Sequence, residues 1–185
     1  MAIEELTNNG YLFIGMDHFA KPQDELAIAQ RQHALKRNFQ GYTTKPQAEL
    51  FGFGATSIGM LEDTYSQNHK RLKEYYQAID NGLLPVSKGI KLHRDGIIRR
   101  DVIMQIMSNF QLDKAEIERK YHIDFDDYFY PELEGLKYLE NDGLVNVTVD
   151  QIQVTSMGRL LMRSIAVLFD TYSQLREEKK YSQAV

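Results

Sequence analysis

Hydrophobic and polar positions divide the 185-residue chain into three stretches of different pattern. In residues 1–65, YLFIGM (11–16) is a continuous apolar run bounded by Gly10 and Asp17, the pattern of a strand covered on both faces. DELAIAQRQHALKR (24–37) has good helix formers with acidic residues at its start and predicts a helix. ELFGFGATSIGML (49–61) predicts a second buried strand or strand plus loop. Strand, helix, loop, strand is the rhythm of a parallel α/β sheet, and two strands are too few to stand alone. The pattern predicts the end of something larger. Between helix and second strand lies RNFQGYTT (37–44), with neither helical nor strand period, yet holding Phe39, Gln40, Tyr42 and two threonines around Gly41.

Residues 66–97 predict a connector. Leu72, Tyr75, Tyr76 and Ile79 form one helical stripe, Asn81-Gly82 ends it, and LLPVSKGIKL is an extended segment broken by Pro85 and Gly89. Residues 98–185 predict a mostly helical domain. Ile98, Val102, Ile106 and Phe110 line a first helix, and Asp113 opens a second in a capping-box-like DKAE. Phe129, Leu133 and Leu136 line a third that stops at Gly143. VNVTV (145–149) and IQVT (152–155) predict a hairpin. Ser156 is placed to cap a long last helix with Leu161, Ile165, Leu168, Phe169, Tyr172 and Leu175 as its stripe. Three helices, a hairpin and a helix is a winged-helix-like order.

Charge changes the picture at that point. The third helix carries one lysine against Asp126, Asp127, Glu132, Glu134, Glu140 and Asp142, so it would repel a nucleic acid, and a packing or lid role is expected instead. From His69 to Arg100 there are eight Lys/Arg against three Asp/Glu, so an anionic partner is expected to meet the middle (Lys70, Arg71, Lys73, Lys88, Lys91, Arg94, Arg99, Arg100). Composition (43% hydrophobic, 26% charged) is that of a soluble globular protein. With no apolar run near the roughly 20 residues a membrane span needs and no signal-peptide pattern, a cytoplasmic location is expected.

Few motifs carry chemistry by themselves. GFGATSIG (52–59) fails as a dinucleotide fingerprint because Ser57 stands where the third glycine belongs; its glycines imply close backbone approach. Asp17 beside His18 could form an acid–base pair, although adjacent strand residues point to opposite faces. The remaining histidines, 33, 69, 93 and 122, have no metal-ligand spacing. The chain has no cysteine, which excludes disulfides, thiolate metal sites and a cysteine-held iron–sulfur cluster within it.

GYLFIGMDHFAKPQDELAIAQ, LKRNFQGYTT, GFGATSIG, IRRDVIMQIMSNF and DGLVNVTVDQIQVTSMGRLLMRSIAVLFDTY together resemble the C-terminal part of oxygen-independent coproporphyrinogen III oxidase, in consistent order from near residue 10 to about residue 175. The resemblance implies a radical S-adenosylmethionine enzyme of haem biosynthesis that converts two propionates of coproporphyrinogen III to vinyl groups with loss of carbon dioxide. It implies a 4Fe-4S cluster held by C-x-x-x-C-x-x-C in a part of the family protein that this chain lacks, so the chain alone is expected to be catalytically incomplete. It implies that Phe39, Gln40 and Ile58 border S-adenosylmethionine, ring and branched alkyl group sandwiching the cofactor while the amide bonds its polar atoms. It places 1–65 at the C-terminal end of an incomplete (β/α) barrel and makes 98–185 an accessory domain. The substrate carries four carboxylates, which the basic middle could serve. The expected partner is coproporphyrinogen III, with no nucleic acid and no membrane, and exposed strand edges predict self-association. A cysteine-free protein that binds tetrapyrrole or S-adenosylmethionine without chemistry is the competing expectation, and a winged-helix DNA-binding protein a weaker one.

Overall fold

The apolar run at 11–16 does form a strand, but not a parallel one. After α1 (Ala2–Asn8), β1 (Leu12–Gly15) pairs antiparallel with the three-residue β2 (His18–Ala20) that follows a two-residue turn, in this computed structural model, which describes residues 2–45 and 49–174. The reversal is local. Gly15 and Met16 both have positive φ, +146° and +53°, and turn the chain within two residues. By contact the chain forms two units, residues 1–44 with 98–185, and residues 45–97.

In the first unit, Asp24 caps α2 (Glu25–Arg31), its carboxylate accepting from the Leu26 amide at 2.9 Å. The helix ends six residues before the expected Arg37. His33 turns left-handed (φ +53°) and Leu35 enters the core with no exposed surface, so burial overrides the helical propensity of HALKR. RNFQGYTT then proves to be structured. β3 (Lys36–Asn38) and β4 (Gly41–Thr43) form a hairpin with Phe39 and Gln40 at its turn. A small core of Ile14, Ala20, Ala27, Ala29 and Leu35 holds these elements together.

The second unit is an antiparallel sheet of β5 (Ile58–Leu61), β6 (Thr64–Asn68) and β7 (Val86–Lys91) in that order. The helix α3 (Leu72–Asp80) connects β6 to β7 and stops before Gly82, at φ +69°, where a turn is expected. Gly89 does not break the extended segment as expected. It sits inside β7, where a Cβ would meet the Tyr65 carbonyl of β6 at 2.9 Å. All strand pairs among the described residues are antiparallel, so the parallel-sheet rhythm expected for 1–65 is corrected.

The larger core belongs to the first unit's C-terminal elements: α4 (Arg94–Asn109), β8 (Gln111–Asp113), α5 (Lys114–Tyr121), α6 (Phe125–Tyr128), α7 (Tyr130–Asn141), β9 (Val145–Val147) and β10 (Gln151–Val154). Asp113 caps α5 as expected, accepting from the Glu116 amide at 3.1 Å. The hairpin β9–β10 is as expected, and β8, which the pattern does not reveal, pairs with β10 as a third strand. The expected third helix is two, interrupted at Phe129.

The expected long last helix is also absent. A 3₁₀ turn (Gly158–Leu161), α8 (Met162–Ala166), a second 3₁₀ turn (Val167–Phe169) and α9 (Thr171–Gln174) replace it. Thr155, not Ser156, serves its start, its hydroxyl accepting from the Gly158 amide at 3.0 Å. Of the expected stripe, Ile165 and Phe169 are buried and Leu161 is half exposed, while Leu175 lies outside the described residues. No helix among the described residues is long and apolar enough to cross a membrane.

Candidate functional site

Two hairpin turns of the first unit bring the conspicuous residues of its N-terminal part together. Asp17 and His18 share one place after all, because the β1–β2 turn removes the strand alternation that would separate them: Asp17 Oδ1 lies 2.8 Å from His18 Nδ1, although without the alignment of a hydrogen bond. The His18 ring meets Tyr42 edge to face at 5.2 Å. Beneath it lies Gly41 (φ +132°), where a Cβ would come within 2.8 Å of His18 Nε2. The glycine of RNFQGYTT is thus what lets the imidazole settle on the second hairpin.

Tyr42 fastens that hairpin to the core, its hydroxyl donating to the Met107 carbonyl at 3.1 Å. Gly15 makes room, since a Cβ there would collide with the Tyr42 hydroxyl. Burial raises the Tyr42 pKa above its ordinary value against the lowering effect of Arg37, whose guanidinium lies 5.5 Å from the ring centre. At the tip, the Gln40 backbone N–H donates to Asn38 Oδ1 at 2.8 Å, which fixes the turn. Phe39 is 55% exposed and the Gln40 side chain faces solvent, so the tip offers a ring and an amide to a ligand.

Ile58 opens β5 in the second unit. The glycine loop ahead of it is held from within that unit, with Asn68 Nδ2 donating to the Gly52 and Gly54 carbonyls at 3.2 and 2.9 Å. Gly52 and Gly59 are crowded by backbone and side-chain atoms of the same unit, so these glycines serve strand packing. An exposed ring and amide suit one wall of a nucleoside site. A 4Fe-4S cluster does not fit this chain, which has no thiolate to offer.

The basic middle is partly committed elsewhere. Arg99 is inside α4, and its Nη1 lies 2.6 Å from Glu132 of α7 in a pair almost shut from water. Arg71 and Lys91 have carboxylates nearby, Glu74 at 3.5 Å and Asp63 at 3.7 Å. Two functional candidates come instead from the acidic last third. Arg159 and Arg163, with Met16, Asp17, Leu160 and Met162, line a hollow of about 380 Å³. The signal in the sequence was two arginines four apart in an otherwise apolar stretch.

Comparison with known proteins decides the lineage. Residues 92–161 match the HemN C-terminal domain. A Synechocystis oxygen-independent coproporphyrinogen III oxidase is 53% identical over 99% of this chain, and that of Escherichia coli K12 is 52% identical over 96%. The solved structure of Escherichia coli coproporphyrinogen III oxidase (HemN), described there as a radical SAM enzyme, superposes with a TM-score of 0.89 over 92% of this chain at 52% identity. The chain thus matches, along almost its whole length, proteins named oxygen-independent coproporphyrinogen III oxidase. It corresponds to the C-terminal portion of a coproporphyrinogen oxidase, spanning 40% of the Synechocystis relative, 38% of the Escherichia coli relative and 39% of the solved chain.

Proposed function

We propose that this chain is the cofactor-wall and accessory portion of an enzyme that oxidatively decarboxylates coproporphyrinogen III to protoporphyrinogen IX in the cytoplasm. The observation that carries this reading is identity near 50% along almost the whole chain, through both hairpins and the C-terminal elements. In this reading Phe39 and Gln40, at the β3–β4 tip, and Ile58, at the start of β5, border S-adenosylmethionine. Residues 1–65 are the end of a partial barrel, 66–97 a connector and 98–185 a winged-helix-like domain whose helix–strand–helix order serves packing. S-adenosylmethionine and the iron–sulfur cluster supply the radical chemistry when bound, and the cluster's thiolates come from outside this polypeptide. Self-association through strand edges belongs to the same reading, since β7 borders its sheet and is exposed along all six residues.

The test is reconstitution. The chain alone, with S-adenosylmethionine and a reductant, is expected to release no carbon dioxide from coproporphyrinogen III. Fused behind the preceding portion of the Escherichia coli relative, with the cluster restored, it is expected to turn over. In that fusion Gln40→Ala raises the KM for S-adenosylmethionine about tenfold, the loss of one or two ligand hydrogen bonds. Turnover by the chain alone, or an inactive but cluster-loaded fusion, refutes the reading.

A further inference from the structure

Two cations in the interior of the first unit are matched by anions. Arg99 is matched by Glu132 at 2.6 Å and Lys114 by Asp126 at 2.7 Å. Arg159 has no carboxylate partner among the described residues. Its guanidinium carbon lies 4.3 Å from the Phe110 ring centre, and its Nε is shut from water with no hydrogen-bond partner among the described residues. Burial alone pulls its pKa below the ordinary arginine value, the mark of a desolvated charge without compensation. The arginine remains protonated and therefore presents an unanswered positive charge to the hollow it lines. Arg163, exposed and without an ion pair among the described residues, adds a second charge at the same hollow.

The rest of the lining limits what can answer those charges. Met16, Leu160 and Met162 give apolar walls. Asp17 is the single carboxylate among the lining residues, and its Oδ1 is already 2.8 Å from His18. A volume of about 380 Å³ is near the lower limit for ligand pockets, enough for one ring and its side arm and too small for a whole macrocycle.

We propose that this hollow is a subsite for one carboxylate on a short apolar arm, a propionate of the tetrapyrrole, with Arg159 as the principal cation and Arg163 as the second. The inference rests on the coproporphyrinogen reading above and adds to it the residues that hold the substrate's charge. Planar, forked donors fixed by an aromatic face suit a carboxylate better than a mobile ammonium would.

The experiment is a fluorescence titration of the chain with coproporphyrin III, the stable tetracarboxylate, and in parallel with its tetramethyl ester. The acid is expected to bind saturably and at least about tenfold more tightly than the ester, the worth of one charge-assisted contact. Arg159→Gln is expected to weaken the acid about tenfold and leave the ester unchanged, Arg159→Lys to weaken it less, and Arg163→Gln to weaken it about threefold. Circular dichroism verifies that each variant is folded. Equal binding of acid and ester overturns the subsite while leaving tetrapyrrole recognition standing, as does a folded Arg159→Gln that binds the acid like the wild type. No saturable binding of the acid also overturns it, and turnover in the fusion enzyme then decides separately whether the family reading survives. Should Arg159→Gln not fold, an unchanged affinity in Arg163→Gln overturns the subsite, and a weakened one together with acid preference upholds it.

Discussion

Gly158 is the most tightly enclosed glycine among the described residues. A Cβ at this position would sit 2.0 Å from the Leu144 carbonyl oxygen and 2.8 Å from Val154. The first is backbone and cannot swing aside. Gly158→Ala is therefore expected to lower stability by about 1–3 kcal/mol, read from the urea midpoint. It should also shift its neighbour Arg159 from the Phe110 ring. Tyr121 makes a pH-dependent contribution. Burial first, and then donation to Asp101 Oδ2 at 2.5 Å, push its pKa well above the ordinary 10.0. The folded state thus holds this proton more tightly than the unfolded state does. The associated stability is complete below about pH 10 and is lost as pH rises toward the folded pKa. Denaturant midpoints measured at pH 9 and 11 should fall in the wild type and fall less in Tyr121→Phe, with Tyr42, also raised by burial, supplying part of the remaining slope.

Among elements, α4 and α7 are joined by the Arg99–Glu132 pair, the side chains 13% and 9% exposed. Removing one partner strands the other charge in the interior, so Glu132→Ala is expected to cost about 3–5 kcal/mol by denaturant unfolding. The same pair shows where sequence reading stops. Glu132 counted as one of six surface acids on a repulsive helix and Arg99 as a candidate for ligand recognition, because nothing in one dimension reveals that the two meet. Local signals were legible: the Asp113 cap, the Gly82 stop, the β9–β10 hairpin and the apolar face of α4. Features set by distant atoms were not. Leu35 is drawn into the core just past the end of α2, the last segment breaks into 3₁₀ turns and short helices, and β8 is too short to show a period. At the site, Phe39 and Gln40 stood out as an odd pairing within RNFQGYTT, whereas Arg159 became conspicuous only when Phe110 and the missing carboxylate could be seen.

For the whole molecule, the uneven distribution of core matters most. Both buried hydrophobic clusters lie in the first unit. In the second unit α3 has no buried residue, and Phe51, Phe53, Leu72, Tyr76 and Leu84 are each more than half exposed. A three-stranded sheet with so little apolar cover is marginal in water. Residues 45–97 expressed alone are expected to show no cooperative thermal transition by circular dichroism, whereas the complete chain shows one from the first unit.

The Tyr42–Met107 bond closes a ring of chain in which the whole 45–97 segment hangs as a loop. Such a closure is a kinetic hurdle as well as a stabilising contact, because the entropy of bringing together ends so far apart is lost before the bond can form. Residues 98 onward contain their own local hairpin and capped helix, so they are placed to collapse first and then collect the N-terminal hairpins. The arrival of β3 and β4 is therefore expected to be the slow event in folding, with the Phe39–Gln40 tip the last part of this unit to acquire its shape.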